Sequence, residues 1–186
     1  MPFITTEFSG LLIFEPKIWQ DDRGYFFESY NQKDFRAESV SINFVQDNQA
    51  SSVYGVIRGL HYQLNPYSQT KLIRVLSGSI LDVVVDIRKN SPTYGKVFSI
   101  ELSADNKKQL LVPKGFAHGY SVISNNAEVF YKCDEFYNKE GEGGIAYNDP
   151  ELNIDWKIDK NKTIISEKDT LHPGLSECRN NFVYEG

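Results

Sequence analysis

Short apolar, β-branched and aromatic runs follow one another across residues 11–130, each closed by Gly, Pro, Asn, Asp or Ser. Residues 72–76 (LIRVL) run into Ser77-Gly78-Ser79, residues 80–85 (ILDVVV) into Asp86, and residues 97–102 (VFSIEL) into Ser103-Ala104-Asp105-Asn106. Branched and flat side chains pack well on a pleated surface, and turn formers at this spacing predict the strands of an all-β sandwich or barrel. Helical signals are few. Residues 32–39 allow about two turns. Ser166 can cap a short helix through Glu167-Lys168-Asp169, because its hydroxyl can accept from a first-turn amide. Residues 138–144 (NKEGEGG) are polar and Gly-rich and read as a mobile loop.

At 186 residues the chain suits one core, so residues 1–186 are expected to form a single domain. With 40% hydrophobic and 24% charged residues, neither a disordered nor a fibrous chain is favoured. No apolar run approaches the roughly 20 residues of a membrane span, and the first residues lack the basic-then-apolar order of a secretory leader. Cys133 and Cys178 make neither a CxxC pair nor a disulfide framework. A cytoplasmic protein is the expectation. The net charge of −5 and the scattered Lys and Arg argue against nucleic acid or an acidic membrane as partner. An anionic ligand must therefore meet a local group of cations.

Two of the three histidines lie beside glycine in strand-rich sequence: Arg58-Gly59-Leu60-His61-Tyr62-Gln63 and Pro113-Lys114-Gly115-Phe116-Ala117-His118-Gly119. The third, His172, precedes Pro173 near the end. Pro113-x-Gly115-x-x-His118 resembles the second motif of the cupin superfamily, which implies a double-stranded β-helix, or jelly roll, with a few short helices. The first cupin motif would carry two histidines and a glutamate as metal ligands. Here those positions match His61, Gln63 and Lys71, with Gly78 beyond and a longer interval before Lys71. An ammonium has no lone pair and repels a dication, and Gln is a weak ligand. No metal and no cofactor are expected. A cavity lined by His and Lys suits an oxyanion forming beside a proton-abstracting base.

Nine segments, in order, extend the resemblance over nearly the whole chain to the dTDP-4-dehydrorhamnose 3,5-epimerase family. They are DRGYFFE from Asp22, FVQDN from Phe44, RGLHYQ from Arg58, KLIRV from Lys71, VVDIR from Val84, PKGFAHG from Pro113, VFYK from Val129, YNDP from Tyr147 and ISEKD from Ile165. The resemblance implies a cofactor-independent isomerase of dTDP-L-rhamnose biosynthesis. It would convert dTDP-4-dehydro-6-deoxy-D-glucose to dTDP-4-dehydro-L-rhamnose by removing protons beside the ketone and returning them on the opposite face.

By the same resemblance His61 is the general base, oriented by Asp169; Tyr131 is the opposite-face donor; and Lys71, with His118, holds the enolate charge. Substrate binding falls to Arg23, Phe26, Glu28, Gln46, Asp47, Asn48, Arg58, Lys71, His118, Tyr137, Glu142 and Lys168. In that set Arg23, Arg58 and Lys168 meet the diphosphate, Tyr137 stacks on the base, and Glu142 closes a loop over the ligand. The partner is a dTDP-linked 4-keto-6-deoxyhexose, and the protein is a homodimer in which the segment from Arg23 to Glu28 reaches the partner's site.

Gln49-Ala50 and Tyr67-Ser68-Gln69-Thr70 depart from the family pattern beside the site. Competing expectations are a one-carbon epimerase or ketoisomerase of the same fold, a sugar-binding module without catalysis, and a cupin metalloenzyme using His61 and His118.

Overall fold

The computed structural model describes residues 3–37 and 40–186. Its elements run β1 (Phe3–Thr5), β2 (Leu12–Phe14), β3 (Trp19–Asp21), β4 (Gly24–Phe26), α1 (Gln32–Ala37), β5 (Gln46–Val53), β6 (Ile57–Gln63), β7 (Lys71–Ser77), β8 (Ser79–Asp86), β9 (Val97–Ser103), β10 (Gln109–Val112), β11 (Phe116–Val122), β12 (Asn126–Cys133) and β13 (Glu142–Gly144). One sheet has the order β1-β2-β10-β7-β12-β5 and the other β13-β6-β11-β8-β9; β3 and β4 form a separate hairpin. From β5 onward the chain mostly alternates between the two antiparallel sheets, which gives the all-β, cupin-like jelly roll.

The apolar run of β8 is continuous because both faces of its sheet are covered. Ile80 and Val84 point between the sheets with Ile73, Val75, Leu110 and Val129. Leu81, Val83 and Val85 pack on the outer side against Ile145, Leu152, Trp156 and Phe182, so the C-terminal segment is plastered over the second sheet. On the far side of the first sheet, Phe35 of α1 packs on Phe14, Leu72 and Leu111.

The predicted strands at 72–76, 80–85 and 97–102 all form, and pairing also extends before residue 11 and past residue 130. The predicted helix at 32–39 forms over Gln32–Ala37; Glu38 and Ser39 lie outside the described residues. The C-terminal helix is a 3-10 turn, Lys168–Leu171, with Glu167 at its cap and the Ser166 hydroxyl accepting from the Asp169 amide at 3.2 Å.

Residues 138–144 are corrected from a loop to a 3-10 turn, Lys139–Gly141, followed by β13. There Glu142 lies opposite Gln63 and Gly144 opposite His61. The glycine serves close packing: a Cβ on Gly144 would stand 2.4 Å from the His172 ring.

Candidate active site

Strands β6 and β11 of the second sheet place His61 and His118 directly opposite one another. Gly59 makes that approach possible, with φ of +126° and a position where a Cβ would stand 2.5 Å from the Gly119 Cα. Facing them, β7 and β12 of the first sheet present Lys71 and Tyr131, and β5 presents Gln46 and Asn48 on the same side. Between the sheets lies a cavity of about 490 Å³ bordered by Arg58, His61, Lys71, His118, Tyr131 and Asp169. It adjoins a chamber of about 400 Å³ that shares His61, Lys71 and Tyr131 and continues to Gln46, Asn48, Tyr137 and Glu142. A cavity of about 580 Å³ beside Trp156 holds none of the predicted site residues.

His61 Nε2 lies 2.7 Å from Asp169 Oδ1, so an imidazole proton on Nε2 is donated to the carboxylate and Nδ1 keeps a lone pair. The Gly59 amide donates to Asp169 Oδ2 at 3.4 Å. Burial alone would raise the Asp169 pKa; the hydrogen bond and charge of His61, with Gly59 and Ser166, hold it below the usual carboxylate range. His172 completes a second imidazole contact on this carboxylate, with its Nε2 3.6 Å from Oδ1 and its ring edge-on to that of His61 at 5.6 Å. That nitrogen is buried and has no hydrogen-bond partner.

Burial lowers the pKa of Lys71, against the opposing influence of Cys133 and Asp82, and its ammonium sits 5.8 Å from the Tyr131 ring centre. Burial raises the pKa of Tyr131, keeping a phenol proton available for donation. His118 Nε2 is 3.0 Å from both Asp82 oxygens. The four positions of the altered cupin motif, His61, Gln63, Lys71 and His118, do converge on one small space. Lys71 stands where an acidic ligand would. The donor set closest to a metal site is a different one, His61, Asp169 and His172.

At the rim, Lys168 pairs with Glu142, and the Tyr137 hydroxyl donates to Glu142 at 3.3 Å. This pairing lowers the Glu142 pKa against the effect of its burial, and it raises that of Lys168. Glu142 lies on a paired strand and not in a loop. The Arg58 Nε donates to Ser52 at 3.1 Å.

Four predicted binding residues are not brought to this cavity by their own chain. Asp47 is a correction: along β5 successive side chains alternate, and Asp47 faces outward to pair with Lys132 at 2.8 Å while Gln46 and Asn48 face inward. Arg23, Phe26 and Glu28 belong to the β3–β4 hairpin and its exit, where the Arg23 side chain bonds to Asp21 and Phe26 is 66% exposed. The sequence reading left out Asp82 and His172, which lie against His118 and Asp169, and Tyr120, which borders the cavity. Asp82 carried a signal, since a carboxylate inside the run ILDVVV must be paired when buried. His172 offered none but its residue type.

The dTDP-4-dehydrorhamnose 3,5-epimerase family model matches residues 5–177. A dTDP-4-dehydrorhamnose 3,5-epimerase of Shigella flexneri is 51% identical over 170 residues, 91% of this chain and 93% of that protein. The crystal structure of the Elizabethkingia anophelis enzyme of the same name superposes with a TM-score of 0.89 at 49% identity, covering 94% of this chain and 96% of that one. A dTDP-6-deoxy-D-glucose-3,5-epimerase from Legionella pneumophila, solved in complex with dTDP-4-keto-L-rhamnose, gives 0.89 at 44% identity over 94% and 93% of the two chains.

Proposed function

The chain belongs to the dTDP-4-dehydrorhamnose 3,5-epimerase family, and from that premise we propose how its cavity converts dTDP-4-dehydro-6-deoxy-D-glucose to dTDP-4-dehydro-L-rhamnose, a step of dTDP-L-rhamnose biosynthesis. The observation that supports the mechanism is that His61 on β6 of one sheet and Tyr131 on β12 of the other line the same cavity from opposite walls, where a base and a proton donor are needed. Inversion requires removal from one face of a carbon and return on the other, and two facing sheets supply two faces.

The ketone at C4 makes the neighbouring C–H bonds acidic enough to break. His61 takes the proton, and the buried Asp169 stabilises the imidazolium that results. Charge then collects on the C4 oxygen, where Lys71 and the Asp82-supported His118 hold it in a site largely withdrawn from water; one such contact is worth about 3 kcal/mol of barrier. Tyr131 returns a proton on the far face. Arg58 and Lys168 supply cations for the diphosphate at the rim, while Gln46, Asn48 and Tyr137 line the adjoining chamber for the nucleoside.

The working unit is a homodimer in this reading. Arg23, with a 90% exposed side chain, and the exposed aromatics Trp19, Tyr25 and Phe26 crowd a hairpin outside both sheets, a surface suited to another chain's cavity. The substrate is a soluble nucleotide sugar and no described helix is long and apolar enough to cross a membrane, in keeping with work in the cytoplasm.

NMR of dTDP-4-keto-6-deoxyglucose incubated with the protein in deuterium oxide tests the reaction. Deuterium is expected at both C3 and C5, and His61→Ala should abolish both. Label at one carbon would reduce the activity to a single epimerisation, and no label would overturn the assignment.

A further inference from the structure

We propose that His61, Asp169 and His172 form an inhibitory zinc site, at which a Zn²⁺ ion displaces the proton shared by the base and its carboxylate and reversibly stops the enzyme. The three side chains bring one donor atom each within 4.8 Å of one another. His61 Nε2 stands 2.7 Å and His172 Nε2 3.6 Å from the same oxygen, Asp169 Oδ1. A tetrahedral zinc bonded at about 2.0–2.1 Å to nitrogen and oxygen separates adjacent ligands by roughly 3.3 Å, between those two spacings, so small ring rotations would seat it.

The His172 nitrogen points to a ligand independently of the dyad. It is buried with no hydrogen-bond partner, and 3.6 Å to Asp169 is too long for a hydrogen bond, so its desolvation is uncompensated in the metal-free protein. The supporting shell is present: the Gly59 amide holds the other Asp169 oxygen, and the His172 ring is packed against Gly144. The His61 side chain is 37% exposed, which gives an entry path and leaves a fourth position for water.

Two imidazoles, one carboxylate and an open position are a donor set that zinc is known to accept. Lys168 is already paired with Glu142, but Lys71 across the cavity opposes a dication. The site should therefore fill only as free zinc rises, a regulator and not a resident cofactor. When zinc takes Nε2, the neutral imidazole carries its one proton on Nδ1 instead, so the lone pair that would accept a proton from substrate is lost.

Zinc binding is independent of the proposed reaction; the inhibition rests on His61 and Asp169 being its base dyad. The test is to titrate chelator-stripped protein with ZnCl₂, measuring bound zinc by atomic emission and deuterium exchange into the substrate in the same samples. One zinc per chain, exchange falling with occupancy, and recovery with EDTA are expected. His172→Gln should weaken both binding and inhibition by about tenfold or more, while Cys178→Ser should change neither. Unchanged zinc affinity in His172→Gln, or its loss in Cys178→Ser, overturns the site.

If His172→Gln does not fold, Co²⁺ in the wild-type protein decides. Visible bands of four-coordinate Co²⁺ without a thiolate charge-transfer band support the site, and a six-coordinate or thiolate spectrum overturns it. Absence of exchange in metal-free protein would count against the reaction alone. Failure to bind zinc would count against this inference alone, and bound zinc that leaves exchange untouched would overturn the inhibition.

Discussion

Lys71 is buried, and its pKa falls below the ordinary lysine range because its ammonium is desolvated. Between the folded and unfolded pKa values the unfolded chain binds more protons, so this residue makes stability rise with pH across that window, up to the ordinary lysine range. Lys71→Met should flatten the rise in thermal melts recorded against pH, and it should lower kcat/KM by about 10²-fold, near 3 kcal/mol. Asp169 gives a slope of the same sign, but in the acid range. Its folded pKa is depressed, so its contribution is complete above the unfolded value of about 3.9 and is lost as pH falls through the folded one. Asp169→Asn should remove that acid-side loss in urea titrations at falling pH, and kcat/KM should drop by about 10²–10⁴-fold as the base loses its orienting carboxylate. Residue type and the altered cupin motif drew attention to His61 and Lys71, while Tyr131 and Asp169 were raised only by the family resemblance. None of these was enough for His172, whose place beside Asp169 depends on the turn of Lys168–Leu171 against β13.

At the scale of the elements, strands were legible wherever packing forces a pattern. The run ILDVVV reads as a strand because both of its faces are covered, and α1 reads as a helix because Phe35 must reach Phe14 and Leu111. The stretch at 138–144 misled because glycine signals two different things, freedom of the backbone and room for a neighbour; in β13 it is the second. Gly144→Ala should consequently destabilise the protein by about 1–3 kcal/mol in chemical denaturation, through collision with His172. Full retention of stability would mean that His172 yields easily and β13 is loosely held. Asp47 was misplaced for a related reason: a motif quoted as a block hides the alternation that turns every second residue of β5 away from the cavity.

For the whole molecule, the jelly roll followed from motif and strand density, but the order of strands in each sheet did not, because pairings such as β12 with β5 join residues far apart in sequence. The dimer is open to a complementation test. If each site takes its base from one protomer and its hairpin from the other, His61→Ala and Arg23→Ala chains, each inactive or weak alone, should recover up to about a quarter of wild-type activity when refolded together, since half the dimers carry one intact site. No recovery would place the hairpin outside the site. Finally, His61 stands on a sheet strand while its carboxylate comes from a turn 108 residues later, in the segment that wraps the second sheet. A growing chain therefore carries an unarmed histidine until the 108 residues up to Asp169 have followed it out of the ribosome. Nucleotide sugar meeting a chain that stops short of this turn is spared a half-built chemistry, and the turn's own synthesis is the event that starts it.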